Sequence, residues 1–415
     1  MKHATIIPLI GGMTLANKKV TGKDPEVILS YSPFKANDSH ISKYLPKVPY
    51  KVLDDMGENE KNMLIEKLKG KLDFVSTVCP CAGLAGTNTA PKTSSKGRGA
   101  HAEQNQWMYK SAKLILEDIK PKEFWGENAP GLFTKMGVEV ADNLRKIGED
   151  AGYSFSMIKT NTELHGIPQR RIRTFYFFWD SPSPPLFNWI KRDTPKLLDY
   201  LNEIPKDATQ FDMRIWMDPV TVKYPPYKFL LDKLGLTHEE MVKKVGKGTV
   251  FRYMQDNDLF DECLDWLKVH APNDGPSGGK PGTNTYIDII NHIKNKLADG
   301  KGYWDSSPHL FHESFNAVIG RNMFDGVHPI ENRYMSVREY IHMMGMPHDF
   351  ELDNIKNINH IAQNVPVGTA SDMTQHVVDY INGKSALSDS KFLKQDNVSR
   401  KTDVITNEKQ LELFS

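Results

Sequence analysis

Cysteine is scarce in this sequence, and so are long apolar runs. The chain has 415 residues and three cysteines, Cys79, Cys81 and Cys263, which are too few for a disulfide framework and suit a reducing compartment. Its apolar runs are too short to span a bilayer, and Met1–His3 precede a short strand-like run rather than a secretory segment. We therefore expect a cytoplasmic protein that does not enter a membrane.

A surplus of charge is missing as well. Lysine and arginine total 53 residues against 52 aspartates and glutamates, so no global basic field points to nucleic acid. A local basic cleft remains compatible with this sum, because a whole-chain total hides patches. The length allows a large core and predicts two domains.

Residues 4–180 alternate strand-like runs with helix-like runs. Short apolar runs such as residues 27–31 and 74–78 are typical of strands, whereas residues 104–119 and 132–152 have helical spacing. This alternation predicts an α/β fold with a doubly wound, mostly parallel sheet and helices on both faces. We assign residues 1–180 to this first domain.

The alternation of strand-like and helix-like runs ends at residues 180–185, where three prolines fall within four positions. Residues 181–316 are irregular, with short amphipathic runs, and predict a second domain. Regular texture returns in residues 317–383, which are expected to complete the first domain. Residues 384–415 are polar with few apolar anchors, so we expect a flexible tail.

The segment Ser76–Gly86 leads from a strand candidate into a loop of small residues. Cys81 follows Pro80 in this loop, and the small residues after it let a ligand approach the backbone closely. Ligands of open α/β sheets lie beyond the carboxyl ends of the strands, where this loop is expected. Cys81 is therefore a candidate nucleophile, and the alternative is an inert buried thiol.

Two further stretches carry candidate site residues. Glu127 ends the short strand candidate 123–127 and is followed by Asn128, so it can face the same sheet edge, unless it is an ordinary surface carboxylate. If the run Gln169–Arg173 is extended, then Gln169, Arg171 and Arg173 share one face. A row of guanidinium groups suits phosphates or a base carbonyl. The alternative for this run is a solvated basic edge strand.

These elements, in this order, resemble the DNA (cytosine-5)-methyltransferases of bacteria and phages. Pro80-Cys81 matches the family's Pro-Cys loop, Glu127-Asn128-Ala129 its Glu-Asn-Val element, and Gln169–Arg173 its Gln-x-Arg-x-Arg strand. Residues 333–350 and 363–370 resemble its closing elements, and the irregular insert stands in the family's place. The resemblance covers roughly residues 4–180 and 317–382. It implies a Rossmann-like methyltransferase fold.

The resemblance also implies roles for individual residues. Cys81 would add to C6 of a cytosine flipped out of the duplex, and Glu127 would contact N3 of that ring. Arg171 and Arg173 would complete the catalytic group. Gln169 and Asn128 would bind the substrate, and no metal is expected.

The implied cofactor is S-adenosylmethionine. Its implied contacts are Leu9, Gly11, Gly12, Asp55, Pro80 and Asn364. The sequence departs from the family in Ile7–Met13, where the first glycine of the cofactor loop is replaced, and in Leu29–Phe34, which holds no carboxylate for the ribose hydroxyls. Ser30 or Ser32 would replace that acid at the ribose. Asp55 is the first candidate for the contact to the adenine amino group, and Asp54 is the second.

The function implied is that of a monomeric DNA cytosine C5-methyltransferase acting on double-stranded DNA. Residues 181–316 would be its target-recognition domain, on the opposite wall of a DNA cleft. Two alternatives remain: methylation of cytosine in tRNA, and a catalytically silent DNA-binding relative.

The end of the printed sequence carries a separate signal. Gln410, Leu411, Leu413 and Phe414 resemble the Gln-Leu-x-Leu-Phe peptides by which bacterial replication proteins hold the sliding clamp. Apolar side chains on a flexible segment suit an apolar groove of a partner. The alternative is an apolar terminus that folds back on its own domain.

Overall fold

The chain folds into two compact units. The computed structural model describes residues 1–85, 99–276, 285–303, 305, 307–320 and 323–404. The first unit comprises Met1–Thr194, Met343–Asp353 and the segment that begins at Gln363, and the second comprises Pro195–His342 and Asn354–Ala362. The expected return to the first domain at residue 317 therefore falls inside the second unit. Val327 and Tyr334 explain this difference, because both belong to the second unit's core.

The first unit is built on a nine-stranded sheet in the order β13-β12-β6-β8-β5-β4-β1-β2-β3. The strands of the chain are β1 His3–Ile6, β2 Ile28–Ser30, β3 Tyr50–Val52, β4 Phe74–Val78, β5 Glu123–Asn128, β6 Ser154–Asn161, β7 Gln169–Arg170, β8 Ile172–Trp179, β9 Lys247–Thr249, β10 His309–Phe311, β11 Phe315–Asn316, β12 Phe392–Asp396 and β13 Lys401–Val404. Within this sheet β8 runs antiparallel to both β5 and β6, and β13 runs antiparallel to β12, whereas the other pairings are parallel. The predicted α/β fold with a mostly parallel sheet is confirmed.

Helices of the first unit connect these strands. They are α1 Gly12–Thr21, α2 Lys35–Tyr44, α3 Glu58–Leu68, α4 Gln106–Lys113, α5 Val138–Asp150 and α15 Val367–Ile381, with a π-helical turn at Leu114–Ile119 after α4. The closing helix α15 packs on α1, where Thr374 donates a hydrogen bond to the Asn17 side chain at 2.9 Å. The segment expected to close the first domain therefore lies against its first helix.

Part of the stretch predicted as a flexible tail is sheet. Residues 392–396 form β12, which extends the sheet in parallel alongside β6, and β13 pairs with β12. A strand added to an open edge is held by main-chain hydrogen bonds, so it needs few apolar side chains. Phe392 and Leu393 supply the buried contacts here. The polar composition that suggested a tail is compatible with such an edge hairpin.

The second unit is mainly helical. Its helices are α6 Leu197–Leu201, α7 Val220–Lys223, α8 Pro225–Leu234, α9 His238–Val245, α10 Val250–Asp256, α11 Phe260–His270, α12 Tyr286–Ala298, α13 Val337–Met343 and α14 Ile358–Ala362. They enclose a core of their own that includes Tyr227, Phe251 and Met254. In the part of the chain that the structure describes, no helix combines the length and apolar character needed to cross a membrane.

Candidate active site

Cys81 lies just beyond the carboxyl end of β4, a central strand between β1 and β5. It precedes a short 3-10 turn, Ala82–Leu84, and its carbonyl accepts a hydrogen bond from the Leu84 N–H at 3.0 Å. Cys81 is half-buried, whereas Cys79 is fully buried. Burial raises the pKa of the Cys79 thiol to about 11, so Cys79 is a poor nucleophile near neutral pH. Of the two cysteines that follow β4, Cys81 is therefore the more accessible.

Glu127 reaches the same end of the sheet on the neighbouring strand. The β4–β5 register pairs Val78 with Glu127, so the carboxylate lies beside the strand end that leads to Cys81. Glu127 is buried, so it is not the surface carboxylate of the alternative interpretation. Arg173 on β8 forms an ion pair with it, with 2.7 Å between Arg173 Nε and Glu127 Oε1.

The charges of this group act on one another. Burial raises the pKa of Glu127, while the positive charges of Arg173 and Arg171 oppose that rise. Burial likewise raises the pKa of the Cys81 thiol, Arg173 opposes the rise, and the charge on Glu127 adds to it. The arrangement therefore favours a Glu127 carboxyl that can hold a proton. The ionisation of the neighbouring Cys81 thiol depends on the charges of Arg171 and Arg173.

The run from Gln169 to Arg173 alternates as its sequence predicts. Gln169 and Arg171 are fully buried and Arg170 is exposed, so the interpretation as a solvated edge strand is wrong for this run. Arg171 donates to the Asn364 carbonyl at 2.8 Å, and burial lowers its pKa to about 9. Gln169 donates to the Met343 carbonyl at 2.8 Å. Both side chains therefore tie the sheet to the segments that return to the first unit.

The proposed cofactor loop is shaped by close packing. Gly11 has φ 105°, a left-handed conformation that favours glycine, and Leu9 has φ 50°, which is uncommon for a residue with a side chain. A β-carbon at Gly12 would lie 2.0 Å from the Val365 carbonyl oxygen. The Gly12 N–H donates to Asn364 Oδ1 at 2.8 Å. Gly12 and Asn364 thus hold the loop against the return segment, a role that their sequence motifs do not reveal.

The other predicted contacts have partners within the protein. Asn128 is buried, and its Oδ1 accepts from the Ala129 N–H at 2.8 Å. Asp55 is half-exposed and engaged by Lys35 and by the Ser32 hydroxyl. Pro80 stands directly before Cys81 and is partly exposed. For Asn128 and Asp55 a contact to substrate or cofactor stays a prediction, while a structural role is evident.

One acidic residue that the sequence did not single out lies near this loop. Asp38 on α2 is buried and accepts a hydrogen bond from the Ser30 hydroxyl at the end of β2. Its Oδ1 has no hydrogen-bond partner among the described residues. A buried carboxyl with an unused acceptor, beside small-residue backbone at the strand ends, fits a ligand that carries hydroxyl donors such as S-adenosylmethionine.

A sheet of this topology, with a thiol, a carboxyl and two guanidiniums at one strand end, defines a methyltransferase-like α/β protein. Comparison with known sequences is more specific. The sequence profile of the C-5 cytosine-specific DNA methylases matches residues 9–378. The chain belongs to this family, whose members are S-adenosylmethionine-dependent DNA methyltransferases.

Individual relatives agree with this assignment. The type II methyltransferase M.AgeI of Thalassovita gelatinovora is 22% identical over 362 residues, covering 72% of this chain and 78% of that protein. M.FnuDI of Fusobacterium nucleatum is 32% identical over 121 residues, covering 28% of this chain and 35% of that protein. A prophage-encoded DNA modification methyltransferase from E. coli superposes with a TM-score of 0.56 at 12% identity, covering 92% of this chain and 99% of that chain. The last likeness concerns the fold alone.

Proposed function

We propose that this enzyme methylates C5 of a cytosine flipped out of double-stranded DNA, through a covalent bond between Cys81 and C6. The observation that carries the proposal is the convergence of Cys81, Glu127 and Arg173 at one end of the sheet. All three side chains come from one copy of the first unit, so a monomer suffices for the chemistry. The expected setting is the cytoplasm of a bacterium or of a phage-infected host.

The covalent step makes a poor carbon nucleophile reactive. The Cys81 thiolate forms an S–C6 bond, and the C5–C6 π electrons move to C5 as N3 receives a proton from Glu127. S-adenosylmethionine, when bound, supplies the electrophilic methyl group that C5 acquires. Loss of the C5 proton to a base then restores the C5–C6 double bond as the S–C6 bond breaks, the thiolate leaves and N3 returns its proton to Glu127.

Glu127 suits the proton-donating role because its environment favours the protonated carboxyl. Burial raises its pKa, and the paired Arg173 limits how far the pKa rises. A catalytic acid works best with a pKa close to the operating pH. Arg173 would also keep part of the Cys81 population as thiolate, since its charge opposes the effect of burial on the thiol.

The first experiment is transfer of labelled methyl from S-adenosylmethionine to duplex DNA by the purified protein. Cys81→Ser should abolish transfer, whereas Cys79→Ala, which removes the neighbouring buried thiol, should retain it. Glu127→Gln should lower kcat by roughly 10²- to 10⁴-fold with a much smaller change in DNA affinity, since its contact strengthens in the transition state. An active Cys81→Ser protein would refute the mechanism.

Duplex DNA is the proposed substrate, with the second unit as the target-recognition region. A separately folded unit with its own core provides the surface that reading several base pairs requires. Offering tRNA and duplex DNA to the same preparation tests this choice. DNA should be labelled and tRNA nearly unlabelled; preferential labelling of tRNA would overturn the proposal.

We also propose that the peptide Gln410–Phe414 binds the bacterial sliding clamp. Gln410, Leu411, Leu413 and Phe414 lie outside the described residues, so their sequence alone supports this. Tethering to the clamp would raise the effective concentration of the enzyme on newly copied DNA. Surface plasmon resonance should detect binding of the full-length protein to a bacterial clamp, and the double variant Leu411→Ala/Phe414→Ala should lose that binding. Equal binding by both proteins, or by neither, would retire the idea.

A further inference from the structure

The family resemblance implies an acid at the end of the second strand for the cofactor's ribose, and this chain has none there. Strand β2 ends at Ser30, and no carboxylate occurs in Leu29–Phe34. A replacement acid must therefore come from another element if a carboxyl is to accept hydrogen bonds from the ribose hydroxyls.

Helix α2 brings a carboxylate to that position. Asp38 lies in the first turn of α2 and is fully buried, as is Ser30. The Ser30 hydroxyl donates to Asp38 Oδ2, and the Leu9 backbone provides a further hydrogen bond. Leu9 follows β1 and Ser30 ends β2, two adjacent parallel strands, so the carboxyl lies at the carboxyl ends of both. Ligands of doubly wound sheets bind at this edge.

Hydrogen bonds compensate only in part for the burial of the Asp38 carboxyl. Burial raises the pKa of Asp38 to about 8, and the hydrogen bonds from Ser30 and Leu9 lower it only in part. Asp38 Oδ1 is a buried polar atom without a hydrogen-bond partner among the described residues. Burial and then the charge of Asp38 raise the pKa of the Tyr50 hydroxyl to about 12, whereas a hydrogen bond with Ser30 opposes the rise. Orphaned buried polar atoms are costly and therefore indicate a missing partner.

We infer that Asp38, carried on α2 rather than on β2, binds the ribose hydroxyls of the cofactor, with Ser30 orienting its carboxyl. The inference rests on the family's cofactor and is independent of the nucleophile, because it concerns binding and not methyl transfer.

Isothermal titration calorimetry of the full-length protein with S-adenosylhomocysteine tests the inference. Asp38→Asn keeps the shape of the side chain and replaces one acceptor oxygen with an amide donor, and should weaken binding roughly 10- to 100-fold, as expected when hydrogen bonds from ligand hydroxyls to a buried carboxyl are lost. Asp24→Asn is the matched control, since Asp24 is an exposed carboxylate paired with Lys18. This control should bind like the unmodified protein.

Analogues of the ligand distinguish ribose binding by Asp38 from a purely structural role of this residue. The unmodified protein should bind S-adenosylhomocysteine at least tenfold more tightly than its 2′-deoxy and 3′-deoxy analogues, because a site built for a hydroxyl rejects the analogue lacking it. Asp38→Asn should lose that preference. Equal binding of all three ligands by the unmodified protein, or a preference that survives in Asp38→Asn, would overturn the inference. The first of these measurements needs no variant, so it holds even if Asp38→Asn does not fold.

Discussion

The buried pair of Glu127 and Arg173 allows a quantitative prediction. The side chains are 3% and 12% exposed, with 2.7 Å between the charged atoms. Arg173→Met keeps most of the side-chain volume but leaves the carboxyl without its nearest cation. Removing one partner of a buried pair costs about 3–5 kcal/mol. We expect the lower end, about 3 kcal/mol, because the carboxyl can protonate and Arg171 remains close.

Thermal unfolding is the assay. For a unit of this size, about 3 kcal/mol corresponds to a fall in Tm of roughly 6–12 °C. The cost should also depend on pH. Without Arg173 the native pKa of Glu127 rises further, so the folded state binds more protons than the unfolded chain, and stability is lost as pH rises toward that native pKa. The deficit should therefore be larger at pH 8 than at pH 6.

The double variant Glu127→Gln/Arg173→Met separates charge from packing. It removes the buried charge altogether, so it should recover much of the Tm lost in Arg173→Met at pH 8. A deficit that is the same at both pH values, or no recovery in the double variant, would refute this reading of the site's electrostatics.

Three further changes are expected to have definite outcomes. Glu123 is fully buried, neither of its carboxylate oxygens is hydrogen-bonded among the described residues, and burial raises its pKa well above the usual value. Glu123→Gln should therefore raise Tm at pH 8, and raise it by less at pH 5. Gly12→Ala should lower both Tm and S-adenosylhomocysteine affinity, because its β-carbon would collide with the return segment. The control Gly302→Ala, whose added β-carbon has nothing within 4 Å, should be neutral in both assays. Deleting residues 392–415 should uncover the edge of β6 and promote aggregation measurable by light scattering; a monodisperse deletion protein would contradict the role given to the hairpin.

The sequence predicts the site's first members because their motifs stand at strand ends. Cys81 follows one strand and Glu127 lies near the carboxyl end of its neighbour, and parallel neighbouring strands bring such ends together. The period-two alternation likewise predicts that Gln169 and Arg171 share a buried face. These features depend on local patterns, which a single sequence displays.

Other features depend on contacts between distant segments, which local patterns do not display. Asp38 looks like an ordinary polar position in a helix, and its burial follows from how α2 packs near Ser30. The motif around Asn364 implies a contact to the cofactor, yet Asn364 Oδ1 accepts a hydrogen bond from the Gly12 N–H, 352 positions away. Strand β12 is held by backbone pairing to β6, so its polar composition gave no sign of the sheet.

The central claim, that Cys81 attacks C6 of cytosine, has a direct test. Duplex DNA in which 5-fluorocytosine replaces cytosine blocks the final elimination, because fluorine cannot leave C5 as the proton does. After incubation with S-adenosylmethionine and digestion, mass spectrometry should find a methylated fluorocytosine nucleotide attached to Cys81. Attachment to Cys79 or Cys263, or methylated DNA with no protein–DNA adduct, would contradict the account.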